Sequence, residues 1–175
     1  NIDYGYVGKD KKARKTIDPS EFSKQYRLQS PSTLIKSKAG VCWDQAELER
    51  KVFKDNNIKH KILYIMLDTH PNYSTHTFAV FWKNNKIYWF ENSYKKHAGI
   101  HGPYNSIEEI VKEVSEKMMK DDGKKSKFSW KVLDEPPANA SCKTYMQAAG
   151  LGDLEGMFGK KAAMGMKWVK PDLNE

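Results

Sequence analysis

Thr75-His76-Thr77-Phe78-Ala79-Val80-Phe81-Trp82-Lys83-Asn84-Asn85-Lys86-Ile87-Tyr88-Trp89-Phe90-Glu91-Asn92-Ser93 holds two apolar, aromatic-rich runs around a short polar turn. Residues 76 to 82 and 87 to 91 have strand length and composition. Lys83-Asn84-Asn85-Lys86 supplies residues that tolerate positive φ, so the stretch reads as a β-hairpin. Register decides which side chains meet. If the loop is even-numbered, so that Trp82 faces Ile87, then Phe78 faces Glu91 and His76 faces Ser93. His76 and Glu91 then share a face as diagonal neighbours, and Asn92 points to the opposite one. An odd loop reverses the assignment, because a slip of one residue flips every side chain, and Asn92 replaces Glu91. Charge facing an aromatic strand pair is costly unpaired, so these side chains meet each other or a ligand.

Upstream of the hairpin, Lys61-Ile62-Leu63-Tyr64-Ile65-Met66-Leu67 is a continuous apolar run of strand length and predicts a central strand buried on both faces. Before it lies Ala39-Gly40-Val41-Cys42-Trp43-Asp44-Gln45-Ala46, a small flexible stretch that opens a helix running to about Asn56, with Trp43, Ala46, Val52 and Phe53 on its apolar side. First-turn N–H groups have no intrahelical partner and the macrodipole is positive there, so a thiolate at Cys42 would be stabilised. Taken singly, Cys42 reads as a small buried hydrophobe, His76 as a satisfied strand histidine and Glu91 as a strand-end surface acid. Together, thiol, imidazole and acid occur in the order a cysteine triad requires. His97 and His101, in a loop, and His60 and His70, in polar surroundings, are alternative bases. His97, His101 and Glu91 also have the residue types of a metal site, without strict ligand spacing.

Further outward, residues 1–17 are Gly- and Lys-rich and read as a mobile or edge arm. A catalytic domain is expected over 18–137. It begins at Asp18-Pro19-Ser20-Glu21, a helix-start pattern with Asp18 as N-cap, and this short helix is expected to end near Ser30-Pro31. Residues 94 to 104, rich in Gly, His and Tyr, read as a loop lining the cleft. Ser106 and Glu109 then form a capping box before Ile107, Ile110, Val111, Val114 and Met118 at helical spacing, with a stop at Asp121-Asp122-Gly123. Phe128 to Leu133 alternates as a strand that Pro136-Pro137 ends. Residues 138–175 form a Gly- and Met-rich extension whose Met146, Leu151, Leu154, Met157, Phe158, Met164, Met166 and Trp168 suit short helical turns that pack on the domain or bind a partner.

The 175 residues, 39% of them hydrophobic, suffice for one sizeable core with appended ends. No stretch approaches the roughly 20 apolar residues of a spanning helix, so no membrane partner is expected. Two cysteines a hundred residues apart read as free thiols in a reducing, cytoplasmic compartment, although the missing initiator Met leaves room for a removed leader. The net charge of +8 is dispersed among acids, and the chain carries no helix-turn-helix, zinc-finger or Walker pattern, which argues against a nucleic-acid partner.

Gly40-Val41-Cys42-Trp43-Asp44-Gln45-Ala46, His76-Thr77-Phe78-Ala79-Val80 and Trp89-Phe90-Glu91-Asn92-Ser93 together resemble the nucleophile, histidine and acid motifs of the transglutaminase-like superfamily of papain-related cysteine enzymes, over roughly residues 26 to 94. Trp89-Phe90-Glu91 and Gly99-Ile100-His101 look like uncharacterised bacterial and phage members. The family usually has Asp where this chain has Glu91, which leaves Glu91 or Asn92 as the orienting group, with motif alignment and even-loop register favouring Glu91. The resemblance implies an α+β papain-like fold, its nucleophile helix packed on an antiparallel sheet with additional helices. It also implies a cysteine hydrolase or acyltransferase acting on a protein or peptide amide without a cofactor. Cys42 is then the nucleophile, His76 the base and Glu91 its orienter. The oxyanion is held by the Cys42 N–H and a second donor, for which Gln29 and Trp43 are candidates. The rival from another class is a non-catalytic binding or structural module of a mobile element or phage with a basic partner-binding face.

Overall fold

The structure, a computed structural model, describes residues 1–69, 73–148 and 169–170. Along the chain run β1 (Tyr6–Val7), β2 (Ala13–Arg14), α1 (Pro19–Gln25), α2 (Pro31–Ser37), α3 (Cys42–Asp55), β3 (His60–Leu67), β4 (Thr75–Lys83), β5 (Lys86–Glu91), β6 (Gly99–Tyr104), α4 (Ile107–Asp122), β7 (Phe128–Leu133) and α5 (Cys142–Ala148). This is the α+β class expected. β1 and β2 form a small hairpin, and the other strands make one antiparallel sheet in the order β6-β5-β4-β3-β7.

The β4–β5 hairpin has the even register, with Trp82 opposite Ile87 and Lys83 opposite Lys86. Asn84 and Asn85 turn the chain at φ 52° and 62°, the left-handed pair that matches the twist of the flanking strands. β3 lies between β4 and β7 and is buried on both faces, as its unbroken apolar run requires. Ile62, Tyr64 and Met66 join a core cluster with Trp43, Ala46 and Phe53 of α3. Leu63, Ile65 and Leu67 join another with Ile110, Val111 and Val114 of α4. Each such side chain contributes roughly 1.5–3 kcal/mol by leaving water, so the two-sided strand anchors both layers.

Local chemistry sets the helix ends. Ser106 Oγ accepts from the Glu109 N–H at 3.2 Å, and α4 stops at Gly123 with φ 69°. Two expectations need correction. The helix from Asp18 ends at Gln25 rather than near Ser30-Pro31, and Ser30 caps a separate helix, α2, accepting from the Thr33 N–H at 3.2 Å. Proline at the first helical position starts a helix as readily as proline beyond its end stops one. Residues 99 to 104, expected in a loop, form β6 and pair with β5, placing Trp89 opposite His101. Pro103 is tolerated because β6 is an edge strand, where a missing N–H costs no ladder bond.

Among the described residues no helix is long and apolar enough to cross a membrane. His70 and most of the Gly- and Met-rich extension, Leu151 to Trp168, lie outside the described residues.

Candidate active site

Cys42 is the first residue of α3, partly exposed and outside any disulfide. Val41 at the N-cap has no polar side chain to offer. Asp44 in the first turn instead reaches back, its Oδ2 accepting from the Val41 N–H at 3.0 Å and its Oδ1 from the Gln29 N–H at 3.0 Å and the Tyr26 hydroxyl at 3.1 Å. Burial raises the Asp44 carboxyl to about 7 against these bonds, which pull it down. Gly40 is needed for room, since a Cβ there would come within 2.5 Å of Leu34 Cδ1.

His76 stands near the start of β4 and is 7% exposed. Its Nε2 shares a 2.6 Å hydrogen bond with Glu91 Oε1 at the end of β5, the diagonal relation the even register predicts. Its ring stacks on Phe78 and meets Tyr94 edge-on. The neighbouring Cys42 side chain also acts on the imidazole, whose Nε2 is held by Glu91. Burial alone would lower its pKa, but the Glu91 charge, the neighbouring Cys42 and the bond to Glu91 prevail and raise it to about 10. Imidazolium is therefore the favoured form through neutral pH.

Glu91 is 2% exposed, and its second oxygen accepts from the backbone N–H groups of Asn92 and Tyr94, each at 3.0 Å. Asn92 points elsewhere. Its Nδ2 donates to Gln45 Oε1 at 2.6 Å, and Gln45 Nε2 donates to the Gly40 carbonyl at 2.9 Å. This relay ties the end of β5 to the residues leading into Cys42. The carboxylate against His76 thus belongs to Glu91, while Asn92 fastens the helix to the sheet.

The other described histidines are engaged elsewhere. His60 Nδ1 contacts the Ile58 carbonyl at 2.8 Å, His97 Nε2 the Asp121 carboxylate at 3.2 Å, and His101 Nε2 the His97 carbonyl at 2.6 Å, with the His101 ring stacked on Trp89. His97, His101 and Glu91 do not gather, and no group of three acidic, His or Cys residues with metal-binding geometry occurs among the described residues.

Of the two expected second oxyanion donors, Gln29 is engaged elsewhere. Gln29 Nε2 donates to the Ala39 carbonyl at 2.7 Å while its Oε1 accepts from Ser37 Oγ at 2.7 Å. Trp43 is buried and stacked on Tyr145 with ring centroids 4.1 Å apart. Three residues that sequence reasoning passed over complete the surroundings. Asp44 had a signal, an acid in the first turn of a helix lacking a capping side chain. Glu49 had none. It is buried beside Glu91, His76 and Cys42, its Oε2 lacks a hydrogen-bond partner, and burial followed by the Glu91 charge raises its pKa well above the ordinary carboxyl range. Burial thus favours its neutral form, which lessens its competition with Glu91 for the imidazolium. Tyr4, on the N-terminal arm, also had no signal, and burial followed by the neighbouring Cys42 raises its phenol well above the ordinary value.

A cavity of about 750 Å³ is lined by Gln45, Glu49, Val52, Phe53, Phe90 and Asn92 among others, and not by Cys42, His76 or Glu91. Another, of about 800 Å³, lies along α4 and β7 and includes none of the residues around Cys42.

No curated protein and no solved structure matches the chain. A family model described as a transglutaminase-like domain matches residues 1–100, more than half of the 175. The match takes in the N-terminal arm, α1 to α3 and the strands that carry His76 and Glu91. By that match, the protein belongs to the transglutaminase-like domain family.

Proposed function

We propose that the protein is a cysteine-dependent hydrolase or acyltransferase that attacks an amide bond of a protein or peptide through Cys42, His76 and Glu91. The observation that carries this reading is the buried 2.6 Å pair of His76 Nε2 and Glu91 Oε1, with the only partly exposed thiol at a helix start among the described residues near enough to act on the imidazole. His76, as the imidazolium, already holds the proton of the Cys42–His76 pair, and the Cys42 sulfur attacks the substrate carbonyl. The carbonyl π electrons move to oxygen, opposite the Cys42 backbone N–H. Collapse of this intermediate breaks the C–N bond, the His76 imidazolium protonates the departing amine, and a thioester remains on Cys42. Water or a second amine then takes the acyl group. Glu91 fixes the ring orientation and stabilises the imidazolium. The apolar cavity bounded by Val52, Phe53 and Phe90 suits an apolar side chain next to the scissile bond.

Iodoacetamide labelling across pH, with the adduct located by mass spectrometry, tests this. We expect labelling at Cys42 that collapses in His76→Ala. Labelling confined to Cys142, or an unchanged Cys42 rate in the variant, would overturn the catalytic reading in favour of a binding module. Profiling on peptide, isopeptide and glutamine substrates then separates hydrolysis, deamidation and amine transfer.

A further inference from the structure

The peptide unit that leads into Cys42 is held at both of its polar groups. The Val41 N–H donates to Asp44 Oδ2 at 3.0 Å, and the Gly40 carbonyl accepts from Gln45 Nε2 at 2.9 Å. The two holders are neighbours at the start of α3, but they tie this peptide to different parts of the molecule. Asp44 also accepts from the Gln29 N–H and the Tyr26 hydroxyl, which lie between α1 and α2. Gln45, 2% exposed, accepts from Asn92 Nδ2 at 2.6 Å and so reaches the end of β5, where Glu91 stands.

The direction of this second link is fixed by donor and acceptor chemistry. A backbone carbonyl only accepts, so Gln45 must turn its NH₂ to Gly40 and its carbonyl to Asn92, and Asn92 must answer with its own NH₂. At the other end the Lys95 ammonium, which only donates, lies 3.5 Å from Asn92 Oδ1 and requires the same orientation. The Asn92 backbone N–H donates to Glu91 Oε2 at 3.0 Å. One residue thus steadies the acid through its main chain and the approach to the thiol through its side chain.

We propose that Gln45 and Asn92 are positioning residues for the reaction proposed above, on which this inference rests: their hydrogen-bonded link sets the height of Cys42 against the His76–Glu91 pair. The thiol is carried by a helix and the imidazole by a sheet, and the apolar burial that joins such layers is non-directional, so it resists sliding weakly. A hydrogen bond is directional and weakens steeply with distance and angle. A misplacement of about 1 Å at a reacting centre costs roughly 10²-fold in rate. Neither amide needs to touch substrate or to move a proton.

Alkylation of Cys42 by iodoacetamide reads this placement. Gln45→Met keeps the length of the side chain without its amide, and Asn92→Leu removes the other amide while leaving the backbone N–H on Glu91. Each should slow Cys42 alkylation roughly tenfold, and the double variant should be no slower than either, because both substitutions break one link. In a His76→Ala background, Gln45→Met should slow the reaction no further. Rates unchanged by both substitutions, or a double variant slowed by the product of the two, overturn the proposal. An equal loss in the absence of His76 does so too, since the amides would then act on the helix alone. So does a loss accompanied by labelling of the buried Cys142, which marks a loosened core. If Cys42 of the unaltered protein does not label at all, the catalytic reading itself fails, whereas labelling that needs His76 but ignores both amides removes only this inference.

Discussion

The chain carries two free thiols in contrasting surroundings. Cys42 opens a helix at the edge of a polar cluster, partly exposed and near enough to His76 to act on its imidazole. Cys142 begins the short helix α5, is 4% exposed in the core that holds Trp43 and Tyr145, and has its thiol raised by burial to about 11. Both sit at helix starts, so a helix terminus alone does not make a cysteine a reactive centre. What separates them is a neighbouring imidazole. A buried imidazole held protonated by Glu91 stands near one, while desolvation is the only influence recorded on the other.

The contrast breaks most sharply if the base is removed. His76→Ala should slow iodoacetamide alkylation of Cys42 by roughly 10²-fold near neutral pH, the scale of a positioned proton acceptor, and leave Cys142 unlabelled in the native protein. Peptide mapping after timed quenching checks both. An alanine at position 44 acts on the frame rather than the chemistry. Without the carboxylate, the Val41 and Gln29 N–H groups and the Tyr26 hydroxyl lose their acceptor. Urea unfolding of Asp44→Ala should therefore show a loss of about 2 kcal/mol, the order expected for buried donors left unpaired.

Glu91→Gln keeps a hydrogen-bonding group against Nε2 but removes its charge. Cys42 alkylation should slow roughly tenfold, equivalent to about 1.4 kcal/mol of lost preference for the imidazolium. The same variant alters stability with pH. The fold raises His76 from 6.5 to about 10, so the stabilisation from its protonated form is fully present below about 6.5 and is lost as pH rises through about 10. The melting temperature of the unaltered protein should decline across that window, and Glu91→Gln should flatten the decline. The smallest effect belongs to the other thiol. Cys142→Ala should cost about 1 kcal/mol of stability by removing one buried sulfur and leave the Cys42 alkylation rate unchanged, since α5 contributes packing alone.

Much of the frame was legible because it rests on local rules. Asn84-Asn85 sets the hairpin register, the register places His76 beside Glu91, the unbroken apolar run 62–67 marks the two-faced strand, and Ser106 and Gly123 bound α4. The failures were local signals with two meanings. Ser30-Pro31 serves equally as a stop and a start, and Gly99-Ile100-His101-Gly102-Pro103-Tyr104 has the composition of a loop but the position of an edge strand, where that composition is permitted.

The sequence by itself determined the α+β class, the helix that begins at Cys42 and the hairpin, because each follows from periodicity and turn chemistry acting over a few residues. Tertiary structure decided that Glu91 rather than Asn92 reaches the imidazole, that Asn92 ties down α3, that Gln29 is locked away, and that Glu49 is buried beside the pair. Those outcomes depend on which distant segments share a low-dielectric interior and find partners there, and no spacing along the chain encodes that.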